Sequence, residues 1–104
     1  MMRGIVKNET GSNVVIYTAG DYQGGVYRIQ SNSDQELFWF RGCITVVENE
    51  RLYYFNGSEI SSEYVAVGMF STSIKLSYKN EQLSYISKSG EVVPLPKLST
   101  CKNA

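Results

Sequence analysis

The 104 residues contain no histidine. That absence removes at once the commonest general base near neutral pH and the commonest zinc ligand. Cysteine occurs only at Cys43 and Cys101, and two distant thiols without another soft ligand make no structural zinc site, so no metal is expected. An excess of one charge is missing too, since ten basic residues cancel ten acidic ones. The molecule as a whole has no electrostatic attraction to phosphate backbones or anionic lipid, and a nucleic-acid partner is disfavoured. Gly4, Gly11 and Gly24-Gly25 lack phosphate-loop spacing, which leaves nucleotide binding without support. No apolar run is long enough for a membrane span or, at the start, for a signal peptide: Ile5-Val6 gives way at once to Lys7-Asn8-Glu9. As written, the chain is expected to stay in the cytoplasm. The doubled Met1-Met2 keeps open a start codon set on a mature exported, periplasmic protein.

The remaining routes to catalysis are thin. A Cys43 nucleophile would need a cationic neighbour; Arg41 is close in sequence, but Gly42 between them tends to bend a strand. Glu48 with Glu50, or Glu59 with Glu63, offers a carboxylate pair, yet these sit beside turns, where solvated glutamates belong. The chain is read as no enzyme, with no catalytic residue and no cofactor.

What is present is a globular composition, 42% hydrophobic and 12% aromatic, and a length that fits one domain. At this size about 65% of the unfolded chain's surface can be buried, enough for a core without metal or disulfide staples. Apolar residues recur with period two or in short β-branched and aromatic runs, broken by turn residues every eight to twelve positions or so. The rhythm predicts strands near 3–7, 14–18, 26–30, 36–40, 43–48, 51–55, 64–70, 74–78, 82–87 and 91–93. Asn56-Gly57 and Gly24-Gly25 supply positive φ cheaply, and Asn49 and Asn80 tolerate it. A helix at Ser33–Phe40 loses to a strand because Phe, Trp and Phe gain little from it; a helix starting near Ser58 stays as the alternative to a strand over 64–70. From Ile74 to Val93 a three-stranded antiparallel meander is expected, ended at an edge by Pro94 and Pro96. The fold class is therefore all-β, a small antiparallel sandwich or barrel formed by residues 1–96. Residues 97–104 form a tail, loose unless Cys101 ties it down.

Three features bear on function. Charge is uneven: residues 48–63 hold Glu48, Glu50, Glu59 and Glu63 against Arg51, while 71–104 hold five lysines against Glu81 and Glu91. The acidic stretch is either a set of solvated turn residues or a face awaiting a basic partner. The aromatic triplets Phe38-Trp39-Phe40 and Tyr53-Tyr54-Phe55 are read as crowding two neighbouring strands, and alternation sends at least one ring of each to the outer face. Trp39 and Tyr54 are then either covered by a second layer, part of a protein-binding patch, or stacking platforms for single-stranded nucleic acid. Cys43 and Cys101 would remain thiols in the cytoplasm, Cys43 buried and Cys101 free on the tail, and would tend to pair in an exported protein. Pairing would close a loop of about 59 residues and stabilise the fold by roughly 4 kcal/mol in the chain-entropy model. The sequons Asn8-Glu9-Thr10 and Asn56-Gly57-Ser58 read as turns.

The stretch Val6-Lys7-Asn8-Glu9-Thr10-Gly11-Ser12-Asn13-Val14-Val15-Ile16-Tyr17 resembles the opening of small bacterial β proteins in which a strand and an Asn-x-Thr/Ser-Gly turn precede a second apolar strand. Leu37-Phe38-Trp39-Phe40, Cys43-Ile44-Thr45-Val46 and Leu52-Tyr53-Tyr54-Phe55 fit the same pattern, which covers about half the chain. Such proteins include immunity proteins that neutralise bacterial toxins and cell-envelope accessory proteins. The resemblance implies a small inhibitor or binding protein of bacterial origin and assigns no residue. The reading taken forward is a protein, monomeric when free, that blocks a basic, nuclease-like toxin domain with Glu48, Glu50, Glu59 and Glu63. The alternatives are a periplasmic accessory or inhibitor protein with a Cys43–Cys101 disulfide and a nucleic-acid-binding β-barrel.

Overall fold

Alternation of apolar and polar side chains, rather than any long apolar run, carries the chain into two sheets. The computed structural model describes residues 2–18, 25–39, 42–60 and 74–101, apart from the side chains of Met2, Trp39 and Glu59. Within them lie ten strands: β1 Met2–Asn8, β2 Val14–Thr18, β3 Gly25–Ile29, β4 Asp34–Trp39, β5 Cys43–Glu48, β6 Arg51–Asn56, β7 Ile74–Lys79, β8 Gln82–Ile86, β9 Val92–Pro94 and β10 Lys97–Leu98. A single 3-10 turn, Gly57–Ile60, follows β6. The strand expected over 64–70 and the body of the alternative helix lie outside the described residues.

One sheet has the order β4-β1-β7-β8-β9 and the other β10-β6-β5-β2-β3. They pack as a sandwich, not a closed barrel, with Val6, Ile16, Leu37, Ile44, Val46, Phe55, Leu76, Tyr78 and Leu83 buried between them. Phe55 meets Tyr78 edge to face, with ring centroids 6.5 Å apart. The C-terminal meander is present as β7-β8-β9, and β9 with Pro94 ends the first sheet. One pairing departs from the antiparallel expectation: β1 runs parallel to β7, Gly4 opposite Ile74 through Asn8 opposite Tyr78. Period-two patterning sets which side chains face inward and is silent on strand direction. Strands far apart in sequence can therefore pair either way.

The tail is also not loose at its start. Lys97 pairs with Phe55 and Leu98 with Tyr54, so β10 extends the second sheet beyond Pro96, and Cys101 is bonded to Cys43. Cys101 is therefore no free thiol: the chain crosses at the buried Leu95 from the edge of one sheet to the edge of the other, and this delivers it to Cys43. On the opposite side, β3 and β4 pass between the sheets through the turn at 30–33. There the Tyr27 hydroxyl accepts the Phe38 N–H at 3.1 Å, occupying a donor that an edge strand would otherwise leave open.

Asn56-Gly57 does not take the positive φ expected of it. The Gly57 N–H donates to Gly42 O at 2.7 Å, and a Cβ there would stand 2.9 Å from that same oxygen, so only glycine fits. Phe38 and Trp39 lie in β4 and Tyr53-Tyr54-Phe55 in β6, on different sheets rather than on neighbouring strands; Phe40 lies outside the described residues.

Candidate functional site

Four connections meet at one end of the sandwich: the β1–β2 loop, the turn at 30–33, and the two-residue hairpin turns Asn49-Glu50 and Asn80-Glu81. Both hairpins have positive φ at each central residue, 50° and 65° in the first and 52° and 62° in the second. That is the type I′ geometry that matches strand twist, anticipated at Asn49 and Asn80. The second position usually goes to glycine; here it is glutamate twice. A side chain with a Cβ costs about 1–2 kcal/mol in the left-handed region.

The β1–β2 loop is held by a buried asparagine. Asn8 Nδ2 donates to Ser12 O at 2.8 Å and to the carbonyls of Ile29 and Gln30 at 3.2 Å, while its Oδ1 accepts from Thr10 N at 3.1 Å and from the Thr10 hydroxyl at 2.7 Å. The sequon at Asn8 is thus a structural turn, as expected: its amide is fully buried and spent on backbone carbonyls. This loop and the turn at Asn80-Glu81 frame an open cleft of about 500 Å³ lined by Glu9, Thr10, Gly11, Glu48, Asn80 and Glu81.

Among the described residues, three carboxylates and no cation line that cleft. Each takes a neutral hydroxyl donor: Ser77 Oγ donates to Glu9, Tyr78 Oη to Glu48 at 2.7 Å and Tyr53 Oη to Glu81 at 2.8 Å. A hydroxyl fixes a carboxylate without cancelling its charge; Arg51 acts on the Tyr53–Glu81 pair, and Lys7 and Lys75 share a neighbouring pocket with Glu9. The phenols respond in kind. Burial pushes Tyr78 far above the ordinary tyrosine value, with the Glu48 hydrogen bond adding to it. Tyr53 is raised mainly by its bond to Glu81, with Arg51 opposing in part. The carboxylates do not converge on a point: among the described residues no three such side chains are placed to hold a metal ion.

Against the residues singled out in the sequence, the outcome is divided. Glu48 is partly buried at the cleft, and Glu50 is exposed in the adjoining turn. Glu59 belongs to the 3-10 turn after Asn56, and Asn56 pairs with Cys43, so Glu59 begins at the far end of β6, about 17 Å from the Glu50 turn at the usual strand rise. The structure does not bring it to Glu48 and Glu50. Glu63 lies outside the described residues. Tyr54 stands partly buried on the outer face of its sheet, beside Leu98, and Trp39 ends β4 opposite Met2. Glu9 and Glu81 were not singled out, because they lie in segments whose net charge is zero or positive; the Asn-Glu repeat at both hairpins was the available signal.

No family model, curated protein or solved structure matches the chain. What the site can do follows from its own geometry. A rim of carboxylates held by hydroxyl donors between two hairpins can pair with a cationic group.

Proposed function

We propose that the protein is a small inhibitor that binds a basic protein, most simply an immunity protein opposite a nuclease-like toxin domain. The carboxylate-lined cleft, with no cation among its described lining residues, is the observation that carries this reading. A nuclease active site is cationic because it binds phosphate, and carboxylates held on a rigid frame can occupy it in place of the substrate. The acceptor set is Glu9, Glu48, Glu50 and Glu81, with Glu59 and Glu63 no longer required. Two of these residues sit at left-handed positions that glycine would fill with less strain, a pattern characteristic of residues kept for function at some expense in stability.

The disulfide favours a second reading on location. A Cys43–Cys101 bond suits an oxidising compartment and hence an exported inhibitor or accessory protein. Among the described residues no helix is long and apolar enough to cross a membrane. The nucleic-acid reading gains nothing from the geometry: Tyr17 and Tyr54 lie on the outer face of one sheet, Lys75 and Lys79 on the outer face of the other.

The test is titration of the purified chain against basic nuclease toxin domains by calorimetry, followed by Gln replacement of Glu9, Glu50 and Glu81 singly. Binding with an association rate that falls with salt and with each replacement supports the proposal. Binding indifferent to all three, or none to any such domain, refutes it.

A further inference from the structure

The two outer faces of the sandwich differ in kind. On the first sheet Arg3, Lys7, Lys75 and Lys79 alternate with Asp34 and Glu36, and the exposed apolar side chains, Ile5 in the centre and Val92 at the edge, are set among or beside these charges. On the second sheet, strand pairing puts Tyr17 beside Val26, Val15 beside Val47, and Val47 beside Leu52. Tyr17, Val26 and Leu52 are 44%, 51% and 55% exposed. Tyr54 continues this stripe, and Arg28 at the β3 edge is the one charge that these strands turn outward. The described part of the C-terminal tail lies over the Cys43 end, where Cys101 Sγ is 3.0 Å from Thr45 Oγ1.

We propose that this face packs against its counterpart on a second copy of the chain, giving a two-fold dimer. Four strands about 4.8 Å apart and five residues long present roughly 320 Å² in projection. With the relief of the standing side chains counted on both copies, the surface removed from water is on the order of 1,000 Å², the threshold for a specific but weak interface. Charge points to the same occupant. A basic partner finds no carboxylate on these strands to pair with, whereas an identical face, whose one charge Arg28 stands on the edge strand, brings no charge into the middle of the contact. Two regular sheets with the same pleat can stack at about 10 Å, aligned to within about 30°. Assembly then stops at two copies, because the contact uses the same patch on both partners. The cleft at the hairpin end has no part in the contact, so the dimer stands or falls independently of the inhibitor reading.

Sedimentation equilibrium over about 1 to 500 μM tests this, a span that brackets a Kd in the micromolar range. The expected result is a monomer–dimer equilibrium that Leu52→Glu, and separately Val26→Glu, weaken at least tenfold, while Lys75→Glu on the other outer face leaves it unchanged. Both mutated side chains are more than half exposed, so wild-type circular dichroism and melting are expected of each variant. A monomer mass at the highest concentration overturns the proposal, as does a dimer unaffected by both substitutions. A wild-type chain that stays monomeric alone but forms a complex with another protein, lost in Leu52→Glu, assigns the face to that partner and overturns the dimer equally.

Discussion

Replacing Glu50 with glycine should make the protein more stable. Glu50 sits at φ 65° in the second central position of a type I′ turn, and no described residue bonds to its carboxylate. Removing its Cβ relieves about 1–2 kcal/mol of left-handed strain. Against this stands the extra freedom that glycine gives the unfolded chain, about 0.5–1 kcal/mol. The net gain is then about 0.5–1 kcal/mol, a rise in melting temperature of about 2–6 °C for a domain of this size. Glu50→Ala is the matched control: it removes the charge and keeps the Cβ, so its melting point should stay with the wild type. Glu81→Gly relieves the same strain at φ 62° but gives up the hydrogen bond from Tyr53, so its gain should be smaller or nil. Thermal melts followed by circular dichroism at neutral pH measure all three. An unchanged or lowered melting point for Glu50→Gly refutes the strain argument. Under the proposed function this more stable variant should also bind a basic partner more slowly, one carboxylate having gone from the rim.

Other substitutions separate the remaining contributions. Asn8→Ala should cost about 2–4 kcal/mol in urea unfolding, because it strips donors from the carbonyls of Ser12, Ile29 and Gln30 and an acceptor from Thr10; a loss below about 1 kcal/mol would mean that water replaces the amide. Reducing the Cys43–Cys101 bond, with its sequence separation of 58, should cost up to about 4 kcal/mol and lower the melting point by more than about 10 °C; an unchanged melt in reductant would show that the sheets hold the tail without it. Tyr78 makes stability depend on alkaline pH. Its folded value lies above the ordinary 10.0, so the stabilisation is complete below about pH 10 and is lost as pH rises past it, by about 1.4 kcal/mol per pH unit. Tyr78→Phe should flatten that fall while costing about 1–2 kcal/mol at neutral pH, where Glu48 loses its hydroxyl donor; an equally steep alkaline loss in the variant would refute the assignment.

Strands were the most legible part of the fold, for a definite reason. Burial on one face imposes period two on residues such as Ile74, Leu76 and Tyr78, and the same constraint can be read back from the sequence. Turns were legible where the backbone demands particular residues, as at Asn49 and Asn80, and misleading where glycine serves another purpose. Gly57 reads as a source of positive φ and is instead required by the close approach of Gly42 O. Allocation of strands to sheets was not legible. Each strand shows which face is buried but not which strand lies beside it, so the parallel β1–β7 pair and the separation of the aromatic triplets emerge only with the topology. The prolines end the ladder of β9 and let the chain turn across to β6, a pairing that the sequence pattern does not show, and Cys101 then ties the tail to Cys43.

The acidic site was half legible for a related reason. Counting charge along the chain finds residues that are close in sequence, and a hairpin keeps such residues together only when they flank its turn. Glu48 and Glu50 flank the β5–β6 turn and stay together; Glu59 lies beyond β6, and the length of that strand carries it to the other end of the molecule. The partners that do join Glu48 come from the β1–β2 loop and the β7–β8 turn, brought in because β7 lies across from β5, where Tyr78 meets Glu48. Glu81 even belongs to the lysine-rich third of the chain, which a segment count scores as basic. In a sandwich whose connections gather at one end, the electrostatics of that end depend on which residues occupy the turns. The repeated Asn-Glu at two type I′ turns, where Asn-Gly would be less strained, is the part of the acidic end that a sequence reader can find without the structure.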